Sequence, residues 1–206
     1  MHEQRRHQRI RFGIQPPIKI GFAGESKTGT LENLSLSGLM VRTVLPLEVG
    51  KTFGCEFSVF GSTRIDVAAV TVSRIGDLFG ARFQSGPISE LLIKDAIDGA
   101  LASGRASVVN MHQVEGRKVL RVAGGLNATL ANDFDYSLNK IGIDELDLSG
   151  VTKVDLDGIG LCRLAVQAFG VTIGTLSDCF AEAWNSRGDA AEPITPIAQL
   201  LTRPAS

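Results

Sequence analysis

The chain has 206 residues, 44% of them apolar and 21% charged, with a formal net charge of -1. That length suits two modest domains and is short for three. The near-neutral balance argues against a nucleic-acid binder, because the positive charge is concentrated in the first eleven residues and not spread over a face.

Arg5-Arg6-His7-Gln8-Arg9 opens the chain. Arg5 and Arg9 are followed by a third guanidinium at Arg11, with only Glu3 nearby to offset them. Fork-shaped donors of this kind suit phosphates and the O6/N7 edge of guanine. The leader has no apolar h-region, so no signal peptide is expected.

Residues 17–22 read as a strand and 24–29 as a polar hairpin connection. In Asn33-Leu34-Ser35-Leu36-Ser37-Gly38, an extended backbone turns Asn33 and Ser35 to one face and the leucines to the other. Gly38 offers either a positive-φ turn or close approach of a flat ligand to bare backbone. Residues 39–43 continue as a strand and 46–50 as a turn. Residues 52–60 follow, with Phe53, Cys55, Phe57 and Val59 on one alternating face, then strands over 65–75 and 78–83. Short strands with Gly turns predict a small antiparallel barrel or sandwich. After Pro87 the period changes, and Ile88, Leu91, Leu92, Ala96, Ala100 and Leu101 predict one face of a helix ending at Ser103-Gly104. That helix packs on the barrel or on a second copy of the chain, so a homodimer stays open.

Residues 105–114 read as a linker. Beyond it, 118–122 alternate like a strand, Gly124-Gly125 marks a turn, and Leu130, Phe134, Leu138 and Ile141 fall at helical spacing behind a cap at Asn127 or Thr129. Residues 143–148 predict a strand and 155–158 a turn. Ile159, Cys162, Ala165, Val166 and Phe169 predict another helical face, 171–176 an abbreviated strand and 177–184 a last helix. This order implies a mainly parallel or mixed α/β sheet. The apolar tract 159–176 is interrupted by Arg163 and Gln167 and makes a poor membrane span. Residues 187–206 read as a disordered tail. Cys55, Cys162 and Cys179 match no metal-ligand spacing, so free thiols, no metal and a cytoplasmic location are expected.

The combination of R-x-x-x-R with N-x-S-x-x-G about twenty-five residues later resembles the PilZ family of cyclic di-GMP receptors. Gly80-Ala81-Arg82-Phe83 looks like the motif that closes the family's barrel. The resemblance covers roughly residues 1–100 and implies that Arg5 and Arg9 clamp guanine and phosphate from a flexible arm. It further implies that Asn33 and Ser35 bond the ligand from the barrel surface and that Gly38 shapes the turn. Asn33 stands where the family often has Asp; an amide offers a donor and an acceptor, whereas an ionised carboxylate only accepts.

The segment Asp147-Leu148-Ser149-Gly150 through Asp155-Leu156-Asp157-Gly158 resembles the signature of STAS domains, the fold of anti-sigma-factor antagonists. Asp157 occupies the position of the serine phosphorylated in regulatory members. It either caps a helix or stands in for the phosphorylated state toward a protein partner. Asp147, Asp155 and Asp157 have no His, Lys or nucleophile beside them, and no phosphate-cradling G-x-x-x-x-G-K-[ST] occurs, so no enzyme is expected.

The expected architecture is therefore α+β and multi-domain. A PilZ-like barrel with its arginine arm and C-terminal helix spans 1–104, a linker 105–114 and a STAS-like α/β domain 115–186. The expected function is a cyclic di-GMP receptor without a cofactor, whose arm orders on binding and which signals to a protein partner. The alternative is an interaction protein whose barrel no longer binds nucleotide.

Overall fold

Alternating apolar residues in the first hundred positions close a sheet on itself in the computed structural model, which describes residues 7–186. The strands are β1 (Ile10–Phe12), β2 (Pro17–Phe22), β3 (Glu25–Ser35), β4 (Gly38–Arg42), β5 (Thr52–Phe57), β6 (Ile65–Ile75) and β7 (Leu78–Gln84). Six antiparallel strands run in the order β3-β2-β5-β6-β7-β4, and β4 pairs back with β3. Closure removes the open edges a flat sheet would present. The inward row, including Ile18, Ile20, Leu34, Val41, Phe53, Phe57, Ile65 and Phe79, is buried. Each such side chain contributes about 1.5–3 kcal/mol relative to exposure.

The short strand β1 adds to β3 beyond the stretch used by β2. Ile10 pairs with Leu34 and Arg11 with Asn33, while β2 pairs Glu25 to Thr30. Ile10 and Phe12 are buried and fasten the segment that follows the arginine cluster. The polar connection expected over 24–29 is instead a two-residue turn, Ala23-Gly24, both at positive φ, followed directly by β3. Glu25-Ser26-Lys27-Thr28 are exposed, so this end of the strand carries polar residues without needing to be a loop. Strand β5 stops at Phe57, although Val59 stays buried as its alternation predicts.

Helix α1 (Pro87–Ala102) follows, but its buried face is Ile93, Ala96 and Ala100, while Ile88 and Leu91 are exposed. Apolar residues occur around much of this helix, so spacing alone did not select the face.

The chain divides into two units at Ala100/Leu101. In the second, residues expected as a linker form β8 (Ala106–Val114), and Gly124-Gly125 lie inside β9 (Arg117–Leu126), its antiparallel partner. Strands β10 (Glu145–Val154) and β11 (Thr172–Leu176) extend the sheet in parallel, giving the mixed order β8-β9-β10-β11. Asn127 caps a 3-10 turn (Ala128–Leu130) by accepting from the Thr129 N–H, and α2 (Ala131–Tyr136) and a π turn (Ser137–Ile141) follow. Helix α3 (Leu156–Phe169) and α4 (Asp178–Asn185) complete the unit. Its core includes Leu120, Val122, Phe134, Leu146, Leu148, Ile159, Leu161 and Phe180. Residues 187–206, expected as a disordered tail, lie outside the described residues.

Cys55, Cys162 and Cys179 are free thiols. Burial pushes Cys55 and Cys162 up to about 12, which keeps them protonated and unreactive at neutral pH. Among the described residues no helix is long and apolar enough to cross a membrane, and no three His, Cys, Asp or Glu side chains cluster as metal ligands.

Candidate functional site

Strand register assembles the barrel's outer face into two rows. In the first, Arg11 of β1 lies opposite Asn33 of β3, Asn33 opposite Met40 of β4, and Met40 opposite Gly80 of β7. In the second, Ser35 pairs with Gly38, and Gly38 with Arg82. Arg9 immediately precedes β1, and carrying the Ile10–Leu34 register back one residue sets it at the Ser35 end of that row. Ile10, Phe12, Leu34, Leu39, Ala81 and Phe83 all point inward, so alternation turns the members of both rows outward. Arg9, Asn33, Ser35 and Gly38, four residues scattered over thirty positions of sequence, thus share one face. Arg5 lies outside the described residues.

The polar groups on this face are unevenly satisfied. Asn33 donates through Nδ2 to Met40 Sδ at 3.6 Å, a weak bond, while its Oδ1 is shielded from water and has no hydrogen-bond partner among the described residues. A buried acceptor left this way costs about 1–3 kcal/mol. Ser35 is buried, donates to the Gly38 carbonyl at 3.0 Å and lies 3.5 Å from the Ser37 hydroxyl, with lone-pair capacity left to accept. His7 Nδ1 is likewise shielded and without a partner among the described residues.

Gly38 is not at positive φ, contrary to one of its two expected roles. A Cβ there would run into the Ala81 carbonyl oxygen, so the bare backbone is needed for β4 to lie against β7. The same absence leaves the middle of the second row without a side chain.

Arginines elsewhere on the barrel are engaged. Arg42 holds Asp77 through Nη1 at 2.8 and 2.7 Å and Glu32 through Nε at 3.0 Å. Those hydrogen bonds hold the Asp77 carboxyl below its usual range. Arg64 pairs with Glu56 at 2.5 Å, and Arg74 lies over the Phe79 ring and donates to the Gly76 carbonyl.

Asp157 is not the cap of α3. Asp155 takes that place, accepting from the Gly158 N–H at 2.8 Å, and Asp157 lies in the first helical turn. Helix α3 starts at Leu156, behind that cap, and a Cβ at position 158 would meet the Leu126 carbonyl, so glycine lets the helix approach β9 closely. Partial burial holds the Asp155 carboxyl above its usual range, with the Gly158 N–H opposing it. Burial pushes Asp147 upward, but the Ser149 hydrogen bonds and Arg121 outweigh it and leave Asp147 below its usual range.

Arg82, Arg11 and Met40 join the rows without having been singled out as site residues. Alternation through Phe79, Ala81 and Phe83 marks Arg82 as outward, but only the β4–β7 register shows that it neighbours Gly38.

The PilZ domain family model matches residues 3–101. Among solved structures, the PilZ domain of YcgR from Escherichia coli, determined with c-di-GMP, is similar at 21% identity. That match covers 48% of this chain and 95% of that one, with a TM-score of 0.40. The PilZ domain of CeSA from a cellulose-synthesizing bacterium matches at 17% identity over 44% of this chain and 95% of its own, with a TM-score of 0.38. The K. pneumonia MrkH–c-di-GMP complex matches at 15% identity and a TM-score of 0.42, covering 47% of this chain and 51% of that one. No curated protein matches the chain. The matched family model, lying over the strands that carry both rows, identifies the N-terminal half of this chain, residues 3–101, as a PilZ domain.

Proposed function

We propose that the chain is a receptor for cyclic di-GMP that binds on the outer face of its barrel and signals without catalysis. The observation that carries this reading is the β1–β3–β4 register, which sets Asn33, Ser35 and Gly38 on one face, with Arg9 one residue before β1, around an amide oxygen that has no partner among the described residues. Asn33 Oδ1 accepts from a guanine N–H, the Ser35 oxygen accepts a second hydrogen bond, and the Arg9 fork takes phosphate oxygens or the guanine O6/N7 edge. Arg5 adds a second fork from the arm. Bare backbone at Gly38 puts no side chain between the Ser35 and Arg82 positions of the row. The PilZ domain of YcgR and MrkH, both solved with c-di-GMP, support the choice of ligand.

Hydrogen bonds to charged groups contribute about 1.5–3 kcal/mol each, and micromolar affinity requires about 8 kcal/mol. Three or four such contacts reach that range after the loss from ordering an arm. His7 Nδ1 and Asn33 Oδ1, both shielded without partners, mark a resting arrangement that gains by rearranging. Ligand entry orders the arm and alters how the chain engages a protein partner. The partner docks on the STAS-like second unit, where Asp157 adds a fixed negative charge in the first turn of α3.

Calorimetric titration of the full chain with cyclic di-GMP tests the receptor reading. Saturable binding at micromolar or lower concentration is expected, and no heat at a hundredfold higher concentration overturns it. A pull-down from lysate with and without the nucleotide tests the second step; a partner set unchanged by ligand counts against it.

A further inference from the structure

We propose that Arg82 is a further ligand-contacting residue, closing the nucleotide site from the β7 side opposite the arginine arm; the inference rests on the cyclic di-GMP reading. Arg82 lies directly across from Gly38, which in turn lies across from Ser35. The row therefore has Arg9 at one end and Arg82 at the other, with a short serine and a bare glycine between them. Adjacent strands lie about 4.8 Å apart, so the two arginine backbones stand roughly 14 Å apart across three strand steps. An arginine side chain extended from each end is long enough to reach over the floor, and the gap that remains suits a nucleobase or a phosphodiester.

The barrel's charge pairing points the same way. Arg42, Arg64 and Arg74 have the partners described above, and Arg11 also has an interaction. Arg9 and Arg82 are both exposed and, among the described residues, their side chains have neither an ion pair nor a hydrogen bond. The two guanidinium groups thus stand at the ends of the Ser35–Gly38 row, next to the row that carries the Asn33 amide oxygen, which also has no partner among the described residues. A guanine dinucleotide offers two phosphates and two guanine O6/N7 edges. Arg9 takes the half of the ligand nearest the arm and Arg82 the half beyond Gly38, through paired N–H donors that an ammonium group cannot reproduce.

The test is calorimetric titration of the full chain with cyclic di-GMP, alongside Arg82→Ala, Arg82→Gln, Arg82→Lys and the control Arg64→Ala. Arg64 carries the same charge but pairs with Glu56 at the β5–β6 edge. Expected are a loss of tenfold or more for Arg82→Ala and Arg82→Gln, a partial recovery for Arg82→Lys, and affinity within twofold of the unaltered chain for Arg64→Ala. Thermal melts should coincide, since Arg82 is exposed. Equal affinity in Arg82→Ala and the unaltered chain overturns the assignment, and so does an equal loss in Arg82→Ala and Arg64→Ala, which would be a net-charge effect. If the unaltered chain fails to bind, the receptor reading itself is overturned and the Arg82 role falls with it.

Discussion

The outer face of the barrel and the start of α3 both drew notice as polar clusters, yet the fold finishes one and leaves the other open. At α3, Asp155 caps the helix through the Gly158 N–H, and Asp147 bonds the Ser149 N–H and pairs with Arg121. On the barrel, Asn33 Oδ1 has no partner, and Arg9 and Arg82 have none among the described residues. Acids whose hydrogen-bonding capacity is spent on local backbone are serving the fold. Polar groups that a barrel strand carries without satisfying keep their hydrogen-bonding capacity for a molecule from outside.

The contrast can be broken most severely at Gly38. Gly38→Val drives a side chain into the Ala81 carbonyl and should cost about 3 kcal/mol of stability, read as a lower midpoint in denaturant unfolding. An unchanged midpoint would show that β4 and β7 can separate and that the glycine is there for ligand approach alone. Arg9→Ala should leave that midpoint in place and weaken cyclic di-GMP binding by about 2 kcal/mol, roughly thirtyfold; calorimetry reads the loss, and retained affinity removes Arg9 from the site.

Asn33→Ala sharpens the contrast further. Removing a shielded acceptor without a partner should leave the ligand-free chain as stable as before, or more stable by up to about 1 kcal/mol, while binding falls about tenfold. A destabilised ligand-free chain would place Asn33 with the structural residues.

The smallest expected effect is at α3. Asp155→Ala should cost about 1 kcal/mol through the lost cap, whereas Asp155→Asn keeps an accepting oxygen and loses little. The acid dependence has a definite sign. The Asp155 carboxyl is held above its ordinary value in the folded state, so the folded chain binds this proton more readily than the unfolded chain does. That contribution is fully present below the unfolded-state value and is lost as pH rises through the folded-state value. Asp155→Asn should therefore flatten this part of the stability profile in urea unfolding across the acid range; an identical profile would show that the carboxyl does not titrate differently on folding.

Much of the barrel was legible because alternation is a local property: Phe53, Cys55, Phe57 and Val59 are buried as their spacing requires. The polar start of β3 was not, since a strand end that faces water on both sides carries the same residues as a loop. The segment 105–114 was missed for a related reason. Strand β8 grades from buried at Val108 through half-buried at Asn110 and Met111 to exposed at His112, without strict alternation, and owes its structure to pairing with β9 across the Glu115-Gly116 turn. Helix α1 shows the opposite error, an apolar stripe chosen from several when the small residues Ala96 and Ala100 select the buried face.

Residue order alone determined that short alternating strands fill the first half and that a mixed α/β unit follows, and it singled out Arg9, Asn33, Ser35 and Gly38 as donors, acceptors and bare backbone. Only the folded sheet decided which of them are neighbours. Cross-strand register brings Arg82 beside Gly38 across more than forty positions of sequence, because inter-strand hydrogen bonds align residues by pairing and not by distance along the chain. The same pairing turned the second glycine role around: Gly38 is bare because β7 lies against it, and the row it leaves open is a consequence of closing the barrel.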